Sequence, residues 1–297
     1  MWYPVLTQIR YRGFSIFSRR TKKIQAYRGL IERYLNVPEL DLFCYGSLAS
    51  SNETAKALIR DGKIKRSSLI VTDEQSAGKG RGCNTFYSPA NTGIYMTLAF
   101  KPPFGQENFT LVTTYAAVVC AQAIEKTCNT KIRIKWVNDI FNELGKIGGI
   151  LTETINPSGK LEDQWIIVGI GINIFEPLLG YPDHLVDHIS SIYNASAIHN
   201  LNSNDIRAQI IADTVNSFMD GLNVIPLKPH LSEYRQRSLL TNKIVEIEEN
   251  GTCYKAKVIG TDDDFALQIL LEDGTERTLI DGEAKIPSSK MRLWTQA

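Results

Sequence analysis

The sequence predicts an α+β protein in which helices flank a central sheet and a small β-barrel follows at the C-terminus. Between residues 41 and 222, short strand-like apolar segments alternate with longer segments whose apolar residues recur at the helical period. Towards the C-terminus, short alternating strands are joined by Asn250-Gly251 and Asp273-Gly274, pairs that favour tight hairpin turns. A chain of 297 residues is long for one compact unit, so we expect more than one domain.

Residues 1–40 form a basic extension, with eight arginines and lysines against two glutamates. Apolar residues recur at the helical period from Lys23 to Leu35, and Pro38 ends the helix that they predict. The segment is either a basic arm for nucleic acid or an acidic surface, or a solvated helix docked by its apolar stripe; the stripe favours the docked helix. It lacks the paired helices of a helix-turn-helix domain, so we expect no specific DNA binding.

The following elements are predicted from apolar composition and periodicity, taken in chain order. Strands of the central sheet are predicted at residues 42–45, 69–71, 93–100, 132–136, 146–154 and 165–173. Helices are predicted at residues 53–59, 109–128 and 204–222. Strands of the C-terminal unit are predicted at residues 244–247, 254–258, 265–271 and 277–280.

A loop rich in glycine and cations follows the predicted strand 69–71. It contains Gly78, Lys79, Gly80 and Arg81. Glycine lets a ligand approach the main chain, and lysine and arginine donate to phosphate oxygens. The loop fits neither the Walker A spacing nor G-x-G-x-x-G, so two interpretations remain open: an anion-binding loop and a solvated basic turn.

Two further features have both a structural and a functional interpretation. Ser50, Ser51 and Asn52 stand at the start of a predicted helix, where they either cap the helix or hydrogen-bond a small polar ligand. The predicted strands 146–154 and 165–173 are interrupted by glycines, which indicate either curvature of the sheet or a ligand lying against it.

The composition is that of a globular protein without a membrane span, a disulfide framework or a metal site. Apolar residues make up 43% and charged residues 22% of the chain, and the net charge of +1 does not favour a globally basic nucleic-acid-binding protein. No apolar run approaches the roughly 20 residues that cross a bilayer, and the N-terminus lacks the apolar core of a secretory signal. The five cysteines have no C-x-x-C spacing, and His184 and His188 lack a third metal ligand at a supporting spacing. We therefore expect a cytoplasmic protein with reduced thiols, no metal ligands and no membrane contact.

Four segments, taken together and in order, resemble the biotin protein ligase family. They are residues 50–52, the loop 75–89, residues 135–139 with 146–151, and residues 168–173. Residues 234–238 resemble the lead-in to the family's C-terminal barrel, so the resemblance covers residues 41–285. It implies a mixed central sheet with flanking helices, the biotin/lipoate ligase catalytic fold, and an SH3-like C-terminal barrel. The implied domains are an extension 1–40, a catalytic domain 41–235 and a barrel domain 236–297.

The resemblance implies an ATP-dependent biotin protein ligase of the monofunctional type. In that family the carboxylate of biotin attacks the α-phosphate of ATP, giving biotinyl-5′-adenylate and pyrophosphate. A lysine of a biotin carboxyl carrier protein then attacks the mixed anhydride and releases AMP. The resemblance therefore implies ATP and biotin as substrates, Mg²⁺ bridging the phosphates, and a carrier protein as acceptor. It leaves open a homodimer formed through an edge strand.

The resemblance assigns roles to individual residues. Lys146 matches the lysine that contacts the biotin carboxylate and the phosphate, and Arg81 matches a loop cation that closes over the adenylate. Asp139 would organise either magnesium or the attacking lysine. These three are the predicted catalytic residues. The predicted binding residues are Ser50, Ser51, Asn52, Gln75, Gly78, Lys79, Gly80, Arg81, Lys146, Gly149, Gly169, Gly171 and Asn173.

One departure from the family pattern falls in the glycine loop. The family's loop usually runs Gly-Arg-Gly-Arg-x-Gly-Arg, whereas this chain has Gly82-Cys83-Asn84 in the second half. One glycine has become cysteine and one arginine has become asparagine, and loss of a charge-assisted phosphate contact costs on the order of 1.5–3 kcal/mol. Two alternatives therefore stay open: a ligase for lipoate or another acyl group, and a catalytically weak biotin-binding paralogue.

Overall fold

The structure of the protein is a computed structural model that describes residues 16–82, 84–104, 109–186, 188–249 and 251–286. Within these ranges the chain forms six α-helices and two β-sheets. Three features predicted from sequence lie partly or wholly outside them: the first part of the basic extension, Cys83 of the glycine loop and the end of the C-terminal unit.

The secondary structure consists of helices, the strands of a larger sheet and the strands of a C-terminal sheet. The helices are α1 (Ile16–Tyr34), α2 (Ser51–Arg60), α3 (Phe109–Cys128), α4 (Ala197–Asn200), α5 (Ser203–Gly221) and α6 (Leu231–Gln236), with short 3₁₀ helices at Leu161–Asp163 and Leu222–Leu227. The strands of the larger sheet are β1 (Asp41–Tyr45), β2 (Ser68–Thr72), β3 (Gly93–Phe100), β4 (Arg133–Lys135), β5 (Asp139–Asn142), β6 (Gly145–Ile155) and β7 (Trp165–Asn173). The C-terminal strands are β8 (Ile244–Glu249), β9 (Thr252–Thr261), β10 (Leu267–Leu270), β11 (Glu276–Leu279) and β12 (Glu283–Lys285).

The larger sheet is mixed. Its strands lie in the order β1-β2-β3-β7-β6-β5-β4, and β1 pairs with β2 in parallel while every other neighbouring pair is antiparallel. The parallel pair requires a crossover, which α2 supplies between the two strands. The α+β fold with a mixed central sheet is confirmed.

The two faces of this sheet pack against different helices. Side chains alternate along a strand, so neighbouring residues of β2 enter different cores. Leu69 and Val71 belong to a large core with α1, α3 and α5, whereas Ile70 belongs to a smaller core with Ala55 and Ile59 of α2. A cavity lies beside the N-terminus of α2.

A strand that the sequence did not predict lies next to this cavity. The chain turns after β4 and returns as β5, which pairs Lys135 with Asp139 and then Asp139 with Gly149 of β6. The sequence patterns predicted no strand at this position, because a four-residue strand is too short to show periodicity. The tight hairpin brings the charged ends of three strands to one place.

Helix α1 docks on the body of the protein, as its apolar stripe predicted. Tyr27 and Ile31 are buried in the large core, and Lys23 lies 3.4 Å from the carboxylate of Asp73. The helix begins at Ile16, earlier than the predicted start at Lys23. Within the described part of the extension, the docked-helix interpretation is confirmed.

The C-terminal strands form an antiparallel sheet in the order β11-β10-β9-β8-β12. Its core includes Trp136 and Phe141 of the β4–β5 hairpin, so the two sheets share apolar contacts. Closure of this sheet into a barrel, and the boundary at residue 235, stay predictions. None of the helices in the described ranges is long and apolar enough to span a membrane.

Candidate active site

A cavity of about 930 Å³ lies between the glycine loop, the N-terminus of α2, the hairpin β4–β5 and the C-terminal sheet. Most of the residues predicted to bind ligand line it. They are Ser50, Ser51, Asn52, Gln75, Lys79, Gly80, Arg81, Lys146, Gly149, Gly169 and Gly171, together with Asp139 of the predicted catalytic set. Gly78 and Asn173 do not line it.

One end of the cavity is polar and built around Ser51. The backbone N–H of Ser51 donates to Gln75 Oε1 at 2.8 Å, and its hydroxyl lies 3.1 Å from the same oxygen. Gln75 Nε2 in turn donates to the hydroxyl of Ser88 at 3.0 Å. Ser50 is the N-cap of α2 by position but makes no capping hydrogen bond with its side chain. These contacts fix the Gln75 amide against the start of the helix.

The amide of Asn52 is held at both ends. Its Nδ2 donates to Glu153 Oε2 at 2.8 Å, and its Oδ1 lies 2.6 Å from the hydroxyl of Thr97. A Cβ at Gly169 would overlap this amide. The room that sequence analysis attributed to a ligand beside Gly169 is therefore taken by Asn52, and a direct ligand contact by Asn52 stays a prediction.

The glycine loop is an ordered hairpin. The N–H of Phe86 donates to the carbonyl of Gly78 at 2.9 Å, and the N–H of Gly80 donates to the carbonyl of Asn84 at 2.8 Å. A Cβ at Gly78 would overlap the carbonyl oxygen of Phe86, so glycine at this position allows the hairpin to close. A Cβ at Gly171 would come within 2.7 Å of the Phe86 ring, which places that ring on the floor of the cavity.

The start of this loop is anchored by a buried ion pair. Arg207 of α5 is 1% exposed, and its Nη1 lies 2.9 Å from Asp73 Oδ1 and 3.1 Å from the carbonyl of Gly93. Burial raises the pKa of Asp73, but the Arg207 and Lys23 charges outweigh burial, so that pKa lies below its usual value. Because Asp73 follows β2 and stands two residues before Gln75, the ion pair fixes where the loop leaves the sheet.

Opposite the polar end, the carboxylate of Asp139 lies between two lysines. Its Oδ1 is 2.6 Å from Lys146 Nζ, and its Oδ2 is 3.4 Å from Lys135 Nζ. Burial raises the pKa of Asp139, but the ammonium groups of Lys146 and Lys135 outweigh burial, and the pKa lies below its usual value. Asp139 is therefore ionised at neutral pH and holds both ammonium groups at the edge of the cavity.

The two cations of the glycine loop also have carboxylate partners. Lys79 Nζ lies 2.7 Å from Glu53 Oε1, and Arg81 Nη2 lies 3.1 Å from Oδ1 of Asp281, which stands between β11 and β12. The Lys79 and Arg81 side chains are 50% and 40% exposed, and ion pairs at such positions contribute little to stability. A phosphate oxygen can therefore replace either carboxylate at low cost.

The part of the chain that contains this arrangement is similar to known proteins. A model of the Biotin/lipoate A/B protein ligase family matches residues 45–173, which contain the glycine loop, the Asp139 cluster and the strands β3, β6 and β7. The Bifunctional ligase/repressor BirA of Bacillus spizizenii is 28% identical over 235 residues, covering 78% of this chain and 70% of that protein. Over residues 45–173 the chain is therefore similar to the Biotin/lipoate A/B protein ligase family.

Further similarities are to proteins that are named as biotin ligases. The Biotin--[acetyl-CoA-carboxylase] ligase of Paracoccus denitrificans is 32% identical over 139 residues, covering 46% of this chain and 55% of that protein. Among solved structures, the biotin protein ligase from Aquifex aeolicus in complex with biotin and ATP has a TM-score of 0.65 at 19% identity. That superposition covers 82% of this chain and 97% of the other, so the fold of the biotin protein ligases extends over most of the chain.

Cavity-lining residues of two kinds were not predicted from the sequence. Lys135, Trp136 and Asn138 precede Asp139 closely, and the family motif around Asp139 contained the signal for them. The others come from the C-terminal sheet, far along the chain, where no local pattern points to the cavity. They include Glu246, Asp281, Glu283 and Lys285.

Asn173, which was predicted to bind ligand, makes a structural contact through its side-chain amide, and its contact with a ligand stays a prediction. Its Nδ2 donates to the carbonyl of Ser190 at 3.1 Å, and Ser190 N–H donates to the carbonyl of Lys146 at 2.6 Å. Asn173 thereby supports the segment that runs beside the start of β6. His188 in the same segment is exposed and lines the cavity, whereas His184 is exposed and does not.

Proposed function

We propose that the protein is an ATP-dependent biotin protein ligase that forms biotinyl-5′-adenylate and transfers biotin to a lysine of a biotin carboxyl carrier protein. One observation supports this most directly: the Lys146–Asp139–Lys135 cluster and the glycine-loop cations line the same cavity as the polar end around Ser51. The cavity thus offers donors for a urea-like ring at one end and positive charge for a carboxylate and phosphates at the other.

The first step joins two anions, so the protein must offset their repulsion. The carboxylate oxygen of biotin attacks the α-phosphorus, the new O–P bond forms, and the bond to pyrophosphate breaks. Lys146, whose ammonium group Asp139 fixes at 2.6 Å, donates to the attacking carboxylate and to the phosphate as charge moves between them. Because Asp139 holds this group in place before substrates bind, little reorganisation is needed during the reaction.

The cations of the glycine loop bind the nucleotide. Lys79 and Arg81 exchange their carboxylate partners for phosphate oxygens, and Arg81 can do so through two parallel N–H donors. The backbone hairpin from Gly78 to Phe86 keeps both side chains at the edge of the cavity. Asn84, which also lines the cavity, supplies no charge where the family usually has arginine.

Biotin's ring and tail occupy the polar end and the apolar floor. The hydroxyl of Ser51 and the amide of Gln75 are within hydrogen-bonding reach of a ligand at the N-terminus of α2. The Phe86 ring and Met96 supply apolar contact for the tail. In this assignment Asn52 holds Glu153 and Thr97, and the role of Asn52 in direct contact with biotin stays a prediction.

In the second step the neutral amine of the acceptor lysine attacks the carbonyl carbon of the adenylate and the C–N bond forms. The bond between that carbon and the phosphate oxygen breaks, AMP leaves with the oxygen, and the amine gives one proton to solvent. Lys146 offsets the charge that develops on the leaving phosphate. Asp139, with its lowered pKa, is a poor base, so we assign it the role of anchoring Lys146. The carrier protein, a homodimer formed through an edge strand and the lack of DNA binding stay predictions.

Mg²⁺ stays a prediction as an ion that enters with the phosphates of ATP. Asp139, the residue considered as its ligand, has both carboxylate oxygens facing lysine ammonium groups. In the described part of the chain, no three His, Cys, Asp or Glu side chains form a group that could hold a metal. These residues do not fit a metal held by the protein, and we assign no step to one.

The decisive experiment is exchange of labelled pyrophosphate into ATP, with biotin, lipoate and octanoate supplied separately to the purified protein. Exchange with biotin is the expected result, followed by transfer of labelled biotin to an isolated carrier domain. Exchange with lipoate or octanoate alone would overturn the choice of biotin. Silence with all three acids, in protein whose circular dichroism shows a folded state, would overturn adenylation itself.

A further inference from the structure

A network of charged side chains connects the polar end of the cavity to the glycine loop along the surface of α2. Asn52 Nδ2 donates to Glu153 Oε2 at 2.8 Å, and Glu153 Oε1 lies 2.6 Å from Lys56 Nζ. Lys56 Nζ lies 3.1 Å from Glu53 Oε1, which is 2.7 Å from Lys79 Nζ. We call these five residues the Lys56 network.

Lys56 is the central member of this network and is the least exposed of its four charged side chains. The Lys56 side chain is 12% exposed, against 26% for Glu153, 37% for Glu53 and 50% for Lys79. Burial lowers the pKa of Lys56, but the two carboxylates outweigh burial and raise it. The ammonium group is thus charged at neutral pH and partly shielded from water, where ion pairs are stronger than on an open surface.

Lys56 and Lys79 compete for one oxygen atom. Both ammonium groups contact Oε1 of Glu53, so the charge of Glu53 is divided between them. Without Lys56, Glu53 would attract Lys79 with its full charge and would oppose the transfer of Lys79 to a phosphate. Glu153 would also lose its cation and would leave a negative charge beside the site of an acidic substrate.

We propose that Lys56 is a positioning residue that couples the acid-binding end of the cavity to Lys79 of the glycine loop. This inference rests on the function proposed above. Lys56 touches neither substrate: on one side it keeps Glu153 neutralised beneath Asn52, and on the other it weakens the hold of Glu53 on Lys79. Both effects favour the binding of anions, biotin at one end and ATP at the other.

The test compares Michaelis constants in biotin-dependent pyrophosphate exchange for four variants. Lys56→Met is expected to raise the KM for ATP about fivefold and that for biotin about threefold, with kcat changed less than about twofold. Lys56→Arg should keep both constants near wild type. Adding Glu53→Gln to Lys56→Met should return the KM for ATP to within about twofold of wild type, because Lys79 is released, while the KM for biotin stays raised.

Lys63→Met is the matched control, since Lys63 follows α2, is 57% exposed and pairs only with Asp61 among the described contacts. It should leave both Michaelis constants unchanged. Lys56→Met with neither constant changed would overturn the inference. So would a KM for ATP that Glu53→Gln fails to restore, because loss of a structural contact alone would not be reversed by removing a second charge.

Failure of the proposed function can be distinguished from failure of the inference about Lys56. If wild-type protein shows no exchange with biotin, that function fails. The coupling between Lys56 and Lys79 is then tested by calorimetric titration of ATP alone. A Kd for ATP that Lys56→Met raises about fivefold and Glu53→Gln restores would uphold the coupling to Lys79. A Kd unchanged by Lys56→Met, or no binding of ATP to wild type, would overturn it.

Discussion

Trp136 donates its indole N–H to the backbone carbonyl of Phe265 at 2.8 Å, and this bond joins the β4–β5 hairpin to the segment that leads into β10 of the C-terminal sheet. Trp136 follows Lys135 directly and stands three residues before Asp139, so the bond lies at the base of the cavity's cationic cluster. The ring of His230 stacks on the Phe265 ring at a centroid distance of 4.7 Å and an interplanar angle of 12°. The C-terminal sheet is therefore held by contacts that also support the site.

We expect His230 to make the stability of the protein depend on pH. Burial lowers the pKa of His230 to about 4, from an ordinary value near 6.5. Between these two values the unfolded chain binds a proton that the folded chain does not, so acidification favours unfolding. The part of the free energy of unfolding that depends on a neutral His230 is fully present above pH 6.5 and is lost as the pH falls towards 4. The total loss is at most about 3 kcal/mol.

The measurement is the free energy of urea unfolding at about pH 7.5 and about pH 4.5, for wild type and for His230→Phe. The variant retains an aromatic ring against Phe265 but cannot be protonated, so its loss of stability on acidification should be smaller by about 2 kcal/mol. His199→Phe, at an exposed position in α4, serves as the control. An equal loss in wild type and His230→Phe would contradict the expectation.

Sequence patterns predicted the long elements well, because β3, β7 and α3 each carry an extended apolar signal along eight or more residues. They missed β5 and β12, which have four and three residues and no resolvable period.

For the site, a short motif was enough to find Asp139 and Lys146. A short motif could not show that Asp281 forms an ion pair with Arg81, since these residues lie 200 positions apart in the sequence. The glycine at 169 was recognised as making room, but only the packed structure shows that the Asn52 amide takes that room.

Replacing Lys146 with alanine should abolish adenylate formation and leave the fold intact. Its ammonium group faces both the carboxylate and the phosphate in the proposed first step, so the expected loss in kcat for pyrophosphate exchange is roughly a hundredfold or more. Lys146 is only partly buried, and Lys135 remains beside Asp139, so the melting temperature should change little.

Lys126→Ala is the matched control for that experiment. Lys126 lies at the end of α3, its side chain is 72% exposed, and it is absent from the cavity lining. Its exchange rate should equal that of wild type. Pyrophosphate exchange at the wild-type rate in Lys146→Ala would show that Lys146 has no role in adenylate formation.

Replacing Asp281 with asparagine should tighten ATP binding at low salt. Asp281 holds Arg81 at 3.1 Å and competes with the phosphates for the same guanidinium group. Because the Asp281 side chain is 86% exposed, the gain in affinity is expected to be small, about twofold, and to vanish at high ionic strength. Calorimetric titration of ATP at two salt concentrations measures it, with Glu276→Gln, an exposed carboxylate of β11, as the control.

Replacing Asn84 with arginine should tighten ATP binding more strongly, by about tenfold, because it restores a charge-assisted donor to the glycine loop. The backbone carbonyl of Asn84 accepts from Gly80, and this bond does not depend on the side chain, so the hairpin should close in the variant as in wild type. The Kd for ATP, measured by calorimetry with Asn84→Gln as an uncharged control of greater length, checks the expectation. If arginine and glutamine give the same Kd, the side chain at position 84 does not reach the phosphates, and the loop binds nucleotide through Lys79 and Arg81 alone.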